Sequence, residues 1–269
     1  DGVYAYRVAS TDRAENDAAE VLDNIVINTE ATPITVSIDS GYFAPGDPND
    51  DGAAEEITFL PNIPVQGGIV DWTLEILPAD GGPAVRVFSG TETVPERIVF
   101  DGKTDEGDFI REGGYLGNLS VLYANGNNPA SDSPRFTADI TEPFASVRPQ
   151  YDVFSPNGDG RKDLMVFVQE SSREDIWFGT IEDAEGNEVR SYTWLYRVDS
   201  TLSWDGYTGR GTLAEDGEYT YRLHATDRAG NTGGSEVHRI LLDTEDTPVL
   251  ISVDKAHFSP NQDGIKESV

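Results

Sequence analysis

Short runs of β-branched and aromatic residues, blocks of sequence that recur roughly every hundred residues, and the lack of long helical periodicity predict an all-β chain of tandem immunoglobulin- or fibronectin-III-like β-sandwiches. The runs Ile34 to Ile38, Ile57 to Leu60, Ile69 to Ile76, Ala84 to Phe88 and Arg97 to Phe100 are each bounded by Gly, Pro, Asn or Asp. They have the length of strands and are too short for stable helices. Leu164 to Gln169 and Trp177 to Glu182 follow, the second leading into the turn Asp183-Ala184-Glu185-Gly186-Asn187, where glycine supplies the positive φ a hairpin needs. Tyr219, Tyr221, Leu223 and Ala225 alternate with Thr220, Arg222 and His224, which places the first set on one face of a strand. About seven such strands in about 105 residues suit a two-sheet sandwich.

The recurrence involves three markers in fixed order. Phe154-Ser155-Pro156-Asn157-Gly158-Asp159-Gly160 returns as Phe258-Ser259-Pro260-Asn261-Gln262-Asp263-Gly264, with a looser copy starting at Phe43-Ala44-Pro45 and reaching Pro48-Asn49-Asp50-Asp51-Gly52. Residues 216 to 229 match residues 1 to 14 almost position for position, and Glu112-Gly113-Gly114-Tyr115 is a degenerate middle copy. Each unit closes on an acidic Thr/Pro stretch: Asn28 to Pro33, Asp139 to Pro143 and Asp243 to Pro248. Proline after a polar run ends a strand and favours an extended link. The expected organisation is therefore residues 1–30 as the C-terminal part of one unit, 31–143 and 144–248 as complete sandwiches, and 249–269 as the start of another. The chain reads as a segment cut from a longer array.

The order of the Phe-Ser-Pro-Asn-Gly-Asp-Gly loop, the turn Trp204-Asp205-Gly206, the strand beginning Asp216-Gly217-Glu218-Tyr219 and the turn Thr226 to Asn231 resembles the flagellar hook-capping-type immunoglobulin-like domain. The resemblance covers 144–248 well and 31–143 more loosely, where Phe100-Asp101-Gly102 stands in for the tryptophan turn. It implies tandem placement in large bacterial surface or secreted proteins, and no single function.

Composition narrows the partners. Nineteen basic against 49 acidic residues give a net charge of −30, which repels nucleic-acid backbones and anionic lipid surfaces. Cysteine is absent, so disulfides, thiolate metal sites and cysteine nucleophiles are excluded. No apolar run is long enough to span a bilayer.

The acidic loops carry the candidate metal chemistry. Calcium takes six to eight oxygen ligands, which short loops supply at alternate positions around glycine turns. Asn157, Asp159 and Asp163 fit that spacing, Asn261, Asp263 and Glu267 repeat it, and Asp47, Asn49, Asp51 and Glu55 form a third set. The competing reading is a metal-free turn, because Asn and Asp cap their own backbone and Gly accepts positive φ. That reading does not require the acid four residues after each Asp. The linker acids Asp243, Glu245 and Asp246 read as a solvated connection, and Phe100 and Trp204 as core anchors beside turns.

No His-Glu-x-x-His, nucleophile elbow or phosphate loop occurs, so no enzymatic activity is expected. The expected role is a structural or adhesive repeat segment outside a bacterial cell, stiffened by calcium and partnered by neighbouring repeats, other surface proteins or filament copies. The alternative is a carbohydrate-binding or accessory module of a secreted enzyme, with Trp177, Tyr192, Trp194 and Tyr196 as an exposed aromatic platform.

Overall fold

A computed structural model describes residues 2–27, 32–46 and 53–253. Among these residues every regular element is a strand. A long hairpin comes first, β1 (Gly2–Thr11) and β2 (Asp17–Ile27). The first sandwich then runs through β3 (Thr35–Ile38), β4 (Tyr42–Phe43), β5 (Ile57–Asn62), β6 (Ile69–Pro78), β7 (Arg86–Gly90), β8 (Ile98–Phe100), β9 (Gly113–Tyr123), β10 (Ala130–Asp132) and β11 (Phe136–Ala138). The second comprises β12 (Ala145–Pro149), β13 (Val153–Phe154), β14 (Met165–Ser171), β15 (Glu174–Glu182), β16 (Glu188–Tyr196), β17 (Thr201–Trp204), β18 (Gly217–Thr226) and β19 (Thr232–Leu242).

The two sandwiches are built alike. A three-stranded sheet, β3-β5-β8 in the first and β12-β14-β17 in the second, faces a larger one. The larger sheets run β4-β11-β9-β6-β7, with β10 also on β9, and β13-β19-β18-β15-β16. In each, the short strand carrying the Phe of Phe-x-Pro pairs parallel with the last strand of the unit, Phe43 opposite Ala138 and Phe154 opposite Leu242.

The period-two pattern places the core. Tyr115, Leu119, Val121 and Tyr123 on β9, and Tyr219, Tyr221, Leu223 and Ala225 on β18, all point inward. Two separate apolar clusters result, one per sandwich. They solve one packing problem in opposite ways. Gly117 on β9 leaves room for Phe59 and Leu74, whereas in the second sandwich the glycine is Gly179 on β15 and the bulk is Tyr221 on β18. Bulk on one strand is matched by its absence on the neighbour, as close packing demands.

The hairpin of residues 2–27 has the geometry of β18 and β19. Both pairs slip register between the two tyrosines of a Tyr-x-Tyr sequence, Tyr4/Tyr6 and Tyr219/Tyr221. Asn24 and Arg239 sit at the same φ of 62° where the partner strand accommodates that slip. Tyr6 and Leu22 of the hairpin are each 63% exposed, whereas Tyr221 is fully buried beneath the other strands of its sandwich.

One expectation is corrected here. Trp177 belongs to no surface platform; it is completely buried in the second core. Tyr192 and Trp194 stack nearly parallel, 5.9 Å apart at 20°, but half-buried against that core. Burial pushes the Tyr192 phenol up to about 12. Of the four aromatics, only Tyr196 is mainly exposed.

Candidate functional site

The three sequence markers meet at one end of each sandwich. In the second, Phe154 lies 5.1 Å from Trp204, and Trp204 meets Tyr219 edge-on at 5.0 Å. The Trp204 indole N–H donates to the Tyr207 carbonyl at 3.1 Å. The Tyr219 hydroxyl donates back to the Glu215 carbonyl at 2.6 Å, the tyrosine-corner arrangement of immunoglobulin-like sandwiches. Tyr115 does the same to Arg111 in the first sandwich at 2.9 Å, and Phe43 faces Phe100 at 6.0 Å. Gly206, at φ +77°, packs so closely on Pro156 that an added Cβ would lie 2.7 Å from the ring; Gly102 is placed against Pro45 in the same way. The Phe-x-Pro and Asp-Gly motifs therefore recur together because each fills the other's space.

The acidic loop leaves this end directly after Pro156. It is tied at its base by the Ser155 N–H donating to the Lys162 carbonyl at 2.9 Å. Within it, both Asp163 oxygens accept backbone N–H groups, from Gly158 and Gly160, each at 2.8 Å. Asn157 Oδ1 accepts from the Asp159 amide at 3.1 Å, and Asp159 Oδ1 from the Arg161 amide at 2.8 Å. The loop is thus wound about the Asp163 carboxylate, which accounts for an acid at that position without reference to a metal. Asn157, Asp159 and Asp163 are brought into one loop, as their spacing implies. No three His, Cys, Asp or Glu side chains converge in a metal-holding group among the described residues. Glu55 is exposed beyond the corresponding loop of the first sandwich. Asp47, Asn49, Asp51, Asn261, Asp263 and Glu267 lie outside the described residues.

The linker marker acts as a clasp. Thr244 donates its amide and hydroxyl to Asp216 at 3.0 and 2.8 Å, and the Glu245 amide donates to Asp243 at 3.0 Å. In the first sandwich Glu112 takes the Ile140 amide at 3.0 Å and the Thr141 hydroxyl at 2.7 Å, while Asp139 takes the Thr141 amide at 3.1 Å. The carboxylates of Asp216 and Glu112, just before β18 and β9, together with those of Asp243 and Asp139 in the stretch itself, secure the exit of the chain. Burial pushes the Asp139 carboxyl above its ordinary value, and Asp227 and Glu112 add to the effect.

Asp227 belongs to the other sandwich. The turn between β18 and β19, Asp227-Arg228-Ala229-Gly230-Asn231, seats on the end of the first sandwich. Its Asp227 carboxylate accepts three backbone amides, from Ala229, Gly230 and Asn231, at 2.8, 2.8 and 3.0 Å, and the Asn231 side-chain amide at 2.7 Å. A turn so braced presents its outer groups in fixed positions. Across the seam the Asn231 amide donates to the Asp139 carbonyl at 3.0 Å, and the Ala54 N–H donates to the Ala229 carbonyl at 3.3 Å. Gly230 lies against Ala53, so close that a Cβ there would be 2.8 Å from the Ala53 Cα. These contact residues were not singled out as a site by sequence. Their signal was the recurrence of Asp-Arg-Ala at residues 12–14 and 227–229, beyond what a turn requires.

Residues 165–229 match the family model described as the FlgD Ig-like domain. No curated protein matches the chain. Among solved structures, a tetra-tandem repeat in the extending region of a large adhesion protein aligns at 17% identity and TM-score 0.37, over 91% of this chain and 57% of that one. A 1.5-MDa bacterial ice-binding adhesin aligns at 14% identity and TM-score 0.40, over 80% of this chain and 67% of the other. The fibronectin(III)-like modules of Clostridium thermocellum CbhA align at 12% identity and TM-score 0.39, over 80% of this chain and all of theirs. The chain therefore spans little more than half the length of the first of these. It is a tandem of immunoglobulin-like β-sandwiches, the second of which is similar over residues 165–229 to the FlgD Ig-like domain.

Proposed function

We propose that the chain is a spacer segment of a bacterial cell-surface or secreted protein, in which sandwiches in series hold other parts of the protein at a distance. The seam between the sandwiches carries this reading: the second unit rests on the first through a braced turn and direct hydrogen bonds, the arrangement a load-transmitting array needs. The hairpin of residues 2–27, equivalent to β18 and β19, belongs in this reading to a preceding unit of the same kind. A net charge of −30 keeps such an array soluble and apart from anionic surfaces.

Calcium at the acidic loops is the finer part of the proposal. Hard oxygen donors at Asn157, Asp159 and Asp163 suit that ion, and a bound cation would offset repulsion among the loop carboxylates. The test is an unfolding curve recorded in chelator and again with calcium. Calcium is expected to raise the midpoint, by the equivalent of about 2.7 kcal/mol when the free ion is about a hundredfold above its Kd. An unchanged midpoint rejects calcium binding and leaves the loops as self-contained turns.

Asp163→Ala separates the two roles of that carboxylate. It removes the acceptor of two loop amides, so the second sandwich should lose about 1 kcal/mol even in chelator. If the loss appears only when calcium is present, the hydrogen bonds to Gly158 and Gly160 contribute nothing of their own.

A further inference from the structure

We propose that Arg228 is the residue that fixes the orientation of the joint, and that the surface it fits is a sandwich end bearing a tyrosine immediately before its Phe-x-Pro sequence. This rests on the spacer reading and adds to it a rule for which units lock together.

All three guanidinium nitrogens are committed. Nε and Nη2 donate to the two oxygens of Asp175 in the same sandwich, each at 2.9 Å, while Nη1 reaches across the seam to the Tyr42 hydroxyl at 3.1 Å. The guanidinium carbon also lies 5.6 Å from the centre of the Tyr42 ring. The fork with Asp175 sets the plane and position of the guanidinium before any contact with the first sandwich is made. What remains is one nitrogen, Nη1, and one cationic face, and both meet Tyr42. An exposed ion pair such as Arg228–Asp175 contributes little to the stability of its own unit. Its geometric effect, aiming the free nitrogen across the seam, is the part that matters.

The two halves of this lock are not present in every unit. The residue before Phe-x-Pro is Tyr42 in the first sandwich, Val153 in the second and His257 in the third copy of the motif. Valine offers neither acceptor nor ring face. The turn of the first sandwich that corresponds to Asp227–Asn231 follows β9 as Ala124-Asn125-Gly126-Asn127 and has no arginine. Arginine and tyrosine therefore occur together at one joint, the one where the structure brings them into contact. The Asp12–Asn16 turn is braced in the same way, with Asp12 accepting the Ala14 and Asn16 amides at 2.8 and 3.0 Å, and it carries Arg13 at the equivalent position. By the same rule its partner is a sandwich end with a tyrosine in the place of Tyr42.

The absence of cysteine permits a direct test. Ser89→Cys, exposed on edge strand β7, and Thr193→Cys, exposed on edge strand β16, place one spin label on each sandwich, and pulsed dipolar spectroscopy reads the distance distribution between them in the whole chain. A single narrow distribution is expected for the doubly labelled parent. Arg228→Ala and Tyr42→Ala should each broaden it at least about twofold, while near-ultraviolet circular dichroism reports both sandwiches folded. A parent distribution already broad would overturn the spacer reading together with the lock. A narrow distribution in the parent and in Arg228→Ala would overturn the lock alone, leaving the joint to Ala54, Ala229 and Asn231.

Discussion

Replacing Trp204 with alanine is expected to destabilise the second sandwich by about 3–5 kcal/mol, a large part of the whole stability of a domain this size. The indole is completely buried and is shared by two of the repeat markers, touching Phe154 on one side and Tyr219 on the other. Removing it opens a cavity at the place where the small sheet closes on the large one. The Tyr207 carbonyl that accepts its N–H also accepts one from Arg190 at 3.2 Å, so the loss is one of packing more than of hydrogen bonding. Because the two cores are separate, denaturant should resolve two transitions, with only that of the second sandwich moving. Trp204→Phe should lose less, since the first sandwich holds Phe100 at the equivalent place. A loss in Trp204→Ala below about 1.5 kcal/mol would show that the convergence of markers is not what closes the sandwich.

Gly206→Ala is expected to cost about 2–4 kcal/mol, from two sources. A non-glycine residue at φ +77° is strained, and its Cβ would lie 2.7 Å from the ring of Pro156. That ring has little freedom to retreat, because Phe154, two residues earlier, is anchored against Trp204 and paired with β19. Gly211→Ala is the matched control: its φ is +78°, with open space where the Cβ would go. It should lose about 1 kcal/mol by the strain alone. Equal losses at the two positions, measured by urea unfolding, would mean that contact with Pro156 is unimportant.

The strands were legible because a half-buried strand announces itself by alternation. Tyr219, Tyr221, Leu223 and Ala225 face the core as their spacing requires. Phe100 and Trp204 were recognisable as anchors beside Asp-Gly turns, and both are fully buried. Trp177 could not be placed in the same way. It adjoins Phe178, so alternation puts one of the two aromatics inward without saying which; the structure buries Trp177 and leaves Phe178 41% exposed. The loop at 157–163 was legible as a unit of Asn, Asp and Gly, yet the work done by Asp163 was not, because backbone amides have no letter in the sequence. Least legible was the seam. Tyr42 and Arg228 are far apart along the chain, and each is ordinary within its own strand or turn. Only their placement on opposed ends gives them a common purpose, and the clue available was a repeated Asp-Arg-Ala that turn chemistry does not need.

The parallel pairing of the short second strand of each sandwich with its last strand bears on how a unit responds to tension. In the second sandwich Val153 and Phe154 lie beside Leu241 and Leu242, with a further hydrogen bond from the Leu241 amide to the Asp152 carbonyl at 2.9 Å. The first sandwich repeats this with β4 against β11. A pull applied between the two ends of a sandwich would act on these two strands in opposite directions, along two chains lying side by side. The hydrogen bonds between them would then be sheared together instead of being peeled one at a time, so the strand pair would act as a mechanical clamp inside each sandwich.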